Sequence, residues 1–383
     1  MRNISNIKGV LYAVVSSATF GLIPLFSIPL LHAGMASPTI LFYRMLLSAA
    51  IMAAVALLLK RNFRISRRDF GVLAGLSLIG AASAQQPIVM RWGDVVAGGH
   101  PQVMMIERVA ADVKAKTNGR IDIQGFPNGQ MGGSRDMIES VSNGTQQLVT
   151  EGAANFGAWI PSISVTEAPF IWKNPAHLIN ALNGPLLEKY NEQLIKARGM
   201  RILGAVYYGT RHLTTSNREV KTVEDAKGLK VRVPENDVFK AMAESWGAKP
   251  TPMNFNELYL ALKTGTVDGQ ENPLPTIKSG KFHEVQKFII LTGHIMTPRL
   301  VVVNEAFWQK IPATDRKVVE DSLKTHMAWA DAEIQKQEVA LLDEFKAAGV
   351  TIVQPDVESF RKATMAVVPA KFEAKSKAAL ISG

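Results

Sequence analysis

Two arginines beside predicted strands are the side chains best suited to bind a ligand in this sequence. Arg211 follows the apolar run MRILGAVYYG at 200–209, which predicts a β-strand, and Arg232 alternates with valines in GLKVRVP at 228–234. A guanidinium can hold a carboxylate through two parallel hydrogen bonds. The pair therefore predicts an anion clamp at adjacent strand ends. A plain role at the surface of a strand is the alternative for each arginine.

The sequence gives no candidate for catalysis. Its histidines beyond residue 84 lack the spacing of metal ligands. They are His100, His177, His212, His283, His294 and His326. The chain also lacks a nucleophile elbow, a P-loop, an HExxH motif and a glycine-rich dinucleotide fingerprint after a strand. We expect a protein that is not an enzyme and that uses neither a metal nor a cofactor.

The positive charge of the chain is concentrated near its N-terminus. The 383 residues include 43 Lys and Arg, 33 Asp and Glu and no Cys, for a net charge of +10. Residues 1–84 contain eight of the basic residues and a single acid, Asp69. The rest of the chain is close to neutral, so its charge gives no reason to expect a nucleic-acid partner. The absence of cysteine excludes a disulfide scaffold.

Residues 1–65 predict a transmembrane helical hairpin. The uncharged stretch at 9–33 is long enough to cross about 30 Å of hydrocarbon as a helix, and a second apolar stretch at 38–59 is interrupted only by Arg44. Basic residues precede the first stretch and follow the second, whereas the loop GMAS between them has none. The positive-inside rule therefore places both ends of the hairpin in the cytoplasm.

Residues 66–84 resemble a signal peptide or form a third, short apolar segment. SRRDF at 66–70 is a basic start similar to a twin-arginine signal, although Arg67 and Arg68 could simply be cytoplasmic flanking charge. The apolar run at 70–84 is about 15 residues long and ends in Ala82-Ser83-Ala84, a small-residue cleavage signal. Either reading places the rest of the chain on the outer side of the membrane.

The N-terminal segments resemble part of a known transporter. The stretches GVLYAVVSSATFGLIPLFSIPLL, LFYRMLLSAAIMAAVALLLKR and SRRDFGVLAGLSLIG are similar to the opening of a drug/metabolite-type transporter of the EamA class. A transport pathway needs polar groups from several helices of a bundle, and only two spans and a fragment are present. We interpret the segment as a truncated or fused remnant that serves as an anchor or leader.

Residues 85–383 alternate predicted strands and helices. IVMRWGD and RIDIQGF are predicted strands, and HPQVMMIERVAADVKAKTNG and SRDMIESVSNG are predicted helices, an order typical of a parallel sheet. A helix is also predicted from His177 to Lys196, and a long one from Thr314 to Ala348, before the strand VTIVQP. The pattern predicts an α/β fold of two lobes with a ligand cleft between them.

Several motifs of this body carry a second resemblance. TRHLTTSNR at 210–218, GLKVRVP at 228–234, PTPMNFNELYLALKTGTVDGQENP at 250–273 and FHEVQKF at 282–288 occur in this order after NGQMGGSRDMIESVSNG. They closely resemble the periplasmic substrate-binding protein of TRAP transporters, of the DctP type that includes the sialic-acid binders. The similarity covers residues from about 87 to 375.

The resemblance implies a type II-like periplasmic-binding-protein fold that closes on an organic acid. The family arginine that pairs with the ligand carboxylate matches Arg232, and the arginine of the GTR motif matches Arg211. The aromatic residue of the PMxF motif matches Phe255, and the amide of GQENP matches Asn272. This agrees with the physical requirement that a buried carboxylate be paired and hydrogen-bonded.

The first lobe departs from the sialic-acid branch. An asparagine of that branch is replaced by Val95, an arginine by Asn155 and a glutamate by Gly152, with Glu151 one place earlier. These changes favour a smaller carboxylate, such as a dicarboxylate, hydroxy acid, keto acid or uronate. Residues of this lobe predicted to line the cleft are Trp92, Asp94, Glu151, Asn155 and Trp159. The two tryptophans could equally be core residues.

The expected partners follow from both resemblances. They are a small carboxylate ligand, the sodium-coupled TRAP permease subunits and, through the N-terminal segment, the membrane. The body is expected in the periplasm, with the N-terminal segment as a potential tether to the inner membrane. One alternative is a fused transporter component of the drug/metabolite type with an extracytoplasmic binding domain. A more distant alternative is an enzyme that acts on an organic acid.

Overall fold

Strands and helices alternate throughout residues 86–381, the part of the chain that the computed structural model describes, with side chains described to residue 371. Residues 85–383 form a compact unit by themselves. The predicted hairpin at 1–65 and the signal-like segment at 66–84 lie outside the described residues. Within the described part, no helix is both long enough and apolar enough to cross a membrane.

The described strands and α-helices have the following bounds. The strands are β1 (Ile88–Gly93), β2 (Ile121–Phe126), β3 (Leu148–Gly152), β4 (Met200–Thr215), β5 (Lys230–Val233), β6 (Lys249–Pro252), β7 (Gly269–Pro273), β8 (Phe288–Asn304) and β9 (Thr351–Val353). The helices are α1 (Pro101–Lys116), α2 (Ser134–Ser142), α3 (Pro175–Leu182), α4 (Pro185–Arg198), α5 (Asp237–Ser245), α6 (Leu258–Lys263), α7 (Leu274–Ser279), α8 (Glu305–Lys310), α9 (Ala313–Ala347) and α10 (Val357–Ile381). Short 3-10 helices include Ala153–Phe156, Pro161–Glu167 and Phe255–Glu257.

One mixed sheet connects these strands in the order β2-β1-β3-β8-β4-β7-β5-β6, with β9 beside β8. The pairs β1/β2, β1/β3, β5/β6, β5/β7 and β8/β9 are parallel. The pairs β3/β8, β4/β7 and β4/β8 are antiparallel. The prediction of a parallel sheet is therefore correct near both ends of the strand order and wrong at its centre.

The central strands β4 and β8 are shared by two lobes. They are 16 and 17 residues long and pair with each other over most of their length. We call the part built on β1, β2, β3 and segments 200–207 and 298–304 the first lobe. The part built on β5, β6, β7, β9 and segments 209–215 and 288–297 is the second lobe. The predicted two-lobed α/β architecture is confirmed.

Alternation along the shared strands explains how each lobe builds its core. In the first lobe, Leu300 and Val302 of β8 pack into one hydrophobic cluster, and Val301 and Val303 pack into another. Successive side chains of a strand point to opposite faces, so both faces of the sheet are buried. Near the start of β8, Ile290 packs into a hydrophobic cluster of the second lobe.

The passage of β4 between the lobes is marked by an irregularity. The pairing register with β8 shifts between Tyr207 and Gly209, and Gly209 has φ of +126°. A Cβ atom at this position would lie 2.6 Å from Cβ of Pro273, so only glycine fits without displacement of β7. Helix α9 supports the same point, because Asp331 Oδ1 accepts a hydrogen bond from Tyr207 N at 2.6 Å.

Prolines and glycines account for one helix boundary that differs from its prediction. The helix predicted from His177 to Lys196 is two helices, α3 and α4. Asn183 and Gly184 separate them, and Pro185 begins α4 because proline suits the first turn of a helix but not its interior. The long predicted helix at Thr314–Ala348 is confirmed as α9, which is Ala313–Ala347.

Candidate functional site

Two adjoining cavities lie where residues of the two lobes face each other, and together they form the cleft. The larger has a volume of about 140 Å³ and the smaller about 40 Å³. Both are lined by Ser134 and Asn155 from the first lobe and by Arg232, Pro234 and Phe255 from the second. The predicted cleft between lobes is therefore present, and Arg232 stands where its two cavities meet.

Arg232 is a buried cation whose partners within the described residues are carbonyl rather than carboxylate groups. Its side chain is 3% exposed, and its Nε and Nη2 atoms donate to the carbonyl oxygen of Met253 at 3.1 and 2.7 Å. Burial lowers the pKa of Arg232 to about 10, so the guanidinium stays charged at neutral pH. A buried charge is stabilised by an opposite charge, and a ligand carboxylate would supply one.

Arg211 is buried to the same degree but is already paired. Its Nε and Nη2 atoms donate to the carboxylate of Glu271 on β7, the second at 3.0 Å, and Nη2 also donates to Asn272 Oδ1 at 3.0 Å. His294 Nε2 lies 3.2 Å from the same carboxylate. Burial tends to raise the pKa of Glu271, but Arg211 and His294 together outweigh burial, and the pKa is lowered. The charge of Arg211 is thus balanced within the protein.

The two arginines line one cavity without lying on adjacent strands. Arg211 on β4 and Arg232 on β5 both line the smaller cavity. Strand β7 lies between β4 and β5 in the sheet, so the expected position at adjacent strand ends is wrong. Of the two, only Arg232 makes no hydrogen bond or ion pair with a carboxylate of the described residues, and the charges of Glu271 and Glu235 act on it without direct contact.

Phe255 and Asn272 also lie at the cleft. The Phe255 ring lines both cavities, with Cζ of Arg232 5.7 Å from its centroid, and it packs edge-on against Phe282 at 5.7 Å. Asn272 lines the smaller cavity, where its oxygen accepts from Arg211 and its Nδ2 donates to Gln270 Oε1 at 2.5 Å. The structure therefore brings together the four second-lobe residues that the sequence predicted.

Three predicted residues of the first lobe complete the cleft. Glu151 lines the smaller cavity, Asn155 lines both, and Trp159 lines the larger. Asn155 Nδ2 donates to Glu151 Oε2 at 2.9 Å, and its Oδ1 accepts from Asn236 Nδ2 of the second lobe at 3.1 Å. Cζ of Arg198 lies 4.5 Å from the Trp159 ring centroid. Asn155 therefore joins the two lobes at the edge of the cavities.

Trp92 and Asp94 lie in the interior of the first lobe and line neither cavity. The Trp92 indole is fully buried and donates to Thr150 Oγ1 at 2.7 Å. Asp94 accepts from the backbone N of Val96 at 2.8 Å and from the side chain of Gln102. Burial raises the pKa of Asp94 to about 7. Both residues are core positions. For Trp92 this was the stated alternative to a place in the cleft.

Sequence reasoning missed Arg299, a charged residue of the cleft on β8. Its Nη1 donates to Glu151 Oε2 at 2.8 Å, and its Cζ lies 4.3 Å from the Tyr208 ring centroid. Thr297 and Glu167 line the same smaller cavity, and burial raises the pKa of Glu167 to about 7. A lone arginine within the apolar run IMTPRLVVV at 295–303 was the signal that could have identified this position.

Comparison with known proteins agrees with this arrangement. Residues 92–375 match the family model DctP, described as bacterial extracellular solute-binding protein, family 7. The sialic acid-binding periplasmic protein SiaP of Vibrio cholerae is 34% identical over 291 residues, which are 76% of this chain and 90% of that protein.

Solved structures show the same fold. A TRAP periplasmic solute-binding protein from a Polaromonas species, bound to D-erythronate, has a TM-score of 0.70 and 34% identity, over 76% of this chain and 97% of that chain. The sugar acid binding protein of Advenella mimigardefordensis, in complex with galactonate, has a TM-score of 0.72 and 28% identity, over 76% and 94%. The matched part is nearly the whole of each of these solved chains. The chain belongs to the DctP family of bacterial extracellular solute-binding proteins, family 7.

Proposed function

We propose that this protein is an extracytoplasmic receptor of a TRAP transporter that binds a small organic acid between its lobes. The ligand carboxylate pairs with Arg232, and the protein binds its solute without transforming it. The relatives support this class of ligand, because those named above bind sialic acid, D-erythronate and galactonate, which are all carboxylic acids.

The observation that carries the proposal is the charge state of the cleft. Among the described side chains, Arg211 is balanced by Glu271 and Arg299 by Glu151, whereas Arg232 donates only to the Met253 carbonyl. A buried guanidinium holds a carboxylate through charge-assisted, often bidentate bonds. The Phe255 ring beside Arg232 gives an apolar face for the carbon skeleton of the acid.

The first test is a thermal-shift screen of residues 85–383 against dicarboxylates, hydroxy acids, keto acids, uronates and sialic acid. A ligand that binds only the folded state at 100 times its Kd stabilises that state by about 2.7 kcal/mol, so one acid class should raise the Tm. The shift should disappear in Arg232→Ala and persist in Arg361→Ala, an exposed arginine on α10. No shift with any acid in a folded sample would contradict the proposal.

The N-terminal segments extend this proposal to the membrane. In it, residues 1–84 export the body to the periplasm and either tether it to the inner membrane or leave by cleavage after Ala84. A sodium-coupled TRAP permease then receives the acid from the closed receptor. Fractionation of cells that express the full chain distinguishes the two fates, since a tethered body remains with the membrane and a cleaved one is released with the periplasm.

A further inference from the structure

A short segment of the second lobe lies against the first lobe at the edge of the cleft. It is Asn254-Phe255-Asn256, which follows β6 and which we call the NFN segment. The Phe255 ring packs against a hydrophobic cluster of the first lobe and also against one of the second lobe. The same ring lines both cavities. The NFN segment therefore joins the cores of the two lobes across the cleft.

Both asparagines of the NFN segment meet glycines in the loop between β2 and α2. A Cβ atom at Gly133 would lie 2.8 Å from Cγ of Asn254 and would overlap its Nδ2. A Cβ atom at Gly129 would lie 2.7 Å from Cγ of Asn256. Contacts below 3.0 Å are too short for a Cβ atom. The lobes can therefore approach this closely only because both positions are glycine.

Gly133 serves this close approach rather than the backbone of its own lobe. Gly129 has φ of +64°, a conformation that favours glycine whatever lies nearby. Gly133 has φ of −76° and ψ of 175°, which any residue can adopt. The amide that it meets is held in place, because Asn254 Oδ1 accepts from Asn256 N at 3.3 Å. A side chain at position 133 would thus act first on the contact between the lobes.

The same contact is linked to the arginine of the cleft. The NFN segment directly follows Met253, whose carbonyl oxygen accepts both hydrogen bonds from Arg232. Asn254 lines the larger cavity together with Arg232, and Ser134, next to Gly133, lines both cavities. The seat of the NFN segment on the glycine loop therefore fixes the width of the cleft beside the guanidinium.

We propose that Gly133 and Asn254 are positioning residues, whose contact sets how tightly the closed lobes hold a solute. This inference rests on the function proposed above. A ligand leaves from the open arrangement, so a less favourable closed state releases it faster and lowers the apparent affinity. Gly133 contributes to binding through closure, without a contact to the ligand.

Gly133→Ala tests the inference by adding one methyl group to the contact. The probes are D-erythronate, galactonate and sialic acid, measured by calorimetry and stopped-flow kinetics on residues 85–383. The variant should bind an acid about fivefold or more weakly than the wild type, mainly through faster dissociation, because the methyl group holds the lobes apart. Gly98→Ala is the matched control and should bind like the wild type, since no heavy atom lies within 4 Å of its Cβ position.

Asn254→Ala supplies the rescue, because it removes the amide that the new methyl group would meet. In the Asn254→Ala background, Gly133→Ala should change affinity by less than about twofold. A purely structural cost of alanine before α2 would instead lower the Tm of the free protein and would persist in the double variant. Wild-type affinity in Gly133→Ala, or a loss that Asn254→Ala does not relieve, would overturn the inference and leave the acid receptor standing. If no probe binds to the folded wild type, the receptor proposal fails, and this inference fails with it.

Discussion

At the scale of single residues, the two buried arginines of the cleft differ in what balances their charge. Arg211 has the Glu271 carboxylate, His294 beside it and the Asn272 oxygen. Arg232 has a carbonyl group and the edge of a cavity. The same residue type at the same burial thus serves structure in one case and, in the proposed receptor, ligand binding in the other.

This difference predicts that replacement of arginine by methionine has different effects on stability at the two positions. Arg211→Met leaves the buried Glu271 without its counter-ion and should lower the free energy of unfolding by about 3–5 kcal/mol. Arg232→Met removes a buried charge that contacts no carboxylate of the described residues, so the free energy of unfolding should fall by much less, while binding of the acid is lost. Urea denaturation of both variants without ligand measures the contrast. Comparable destabilisation by both substitutions would show that Arg232 has a structural role.

The sequence identified the second-lobe residues Arg211, Arg232, Phe255 and Asn272 of the cleft through motifs, and it missed residues that depend on the pairing of distant strands. Arg232, Arg211, Phe255 and Asn272 lie within matched motifs, so their position could be predicted. Arg299 lies 148 residues from its partner Glu151, and only the pairing of β3 with β8 brings them together. One sequence does not state which strands pair, because that choice depends on packing of the whole sheet.

At the scale of elements, the shared strands β4 and β8 decide the architecture. The sequence predicted a strand at 200–209 but not its continuation to Thr215, nor any part of β8. Gly209 lies inside β4, and Gly293 and Pro298 lie inside β8. Glycine and proline normally argue against a central strand. The register shifts within the β4/β8 pair accommodate such residues, and these shifts cannot be read from the apolar pattern.

Helix α9 gives a pH-dependent prediction at the crossing of β4. Burial raises the pKa of Asp331 to about 7, against about 3.9 in an unfolded chain. Between these values the folded state holds an extra proton, so this group's contribution to stability is lost as the pH rises toward 7. Asp331→Asn keeps the oxygen that accepts from Tyr207 N but does not titrate.

The expected result is a difference between the two proteins that grows with pH. From pH 5 to pH 8 the wild type should lose on the order of 2 kcal/mol of unfolding free energy relative to Asp331→Asn. Denaturant titrations at several pH values measure it, and the exposed Thr325→Val on the same helix should show no such trend. A constant difference between wild type and Asp331→Asn across this range would rule out the raised pKa.

At the scale of the whole molecule, the proposed ligand site is formed by residues of both lobes. The cavities combine Glu151 and Asn155 from one lobe with Arg232 and Phe255 from the other, and the Asn155–Asn236 hydrogen bond crosses between them. A ligand that touches both sides favours the arrangement in which they are close. In the proposed receptor, closure on the acid is the change that a permease would recognise.

The sequence predicted this level of organisation better than its details. Alternating strands and helices indicated an α/β body of two lobes with a cleft between them, all of which the structure has. The antiparallel centre of the sheet was not predicted, because strand and helix order alone does not distinguish a wholly parallel sheet from one with two long shared strands.

The pairing of Arg232 with the ligand carboxylate is tested most directly by a double-mutant cycle that varies protein and ligand together. Calorimetry would compare an acid that binds with its primary amide, on wild-type residues 85–383 and on Arg232→Gln. We expect the acid to lose about 100-fold or more in affinity for the variant while the amide loses little. The reason is that only the acid carries a negative charge that pairs with the Arg232 guanidinium. Equal losses for acid and amide would show that Arg232 does not bind the carboxylate.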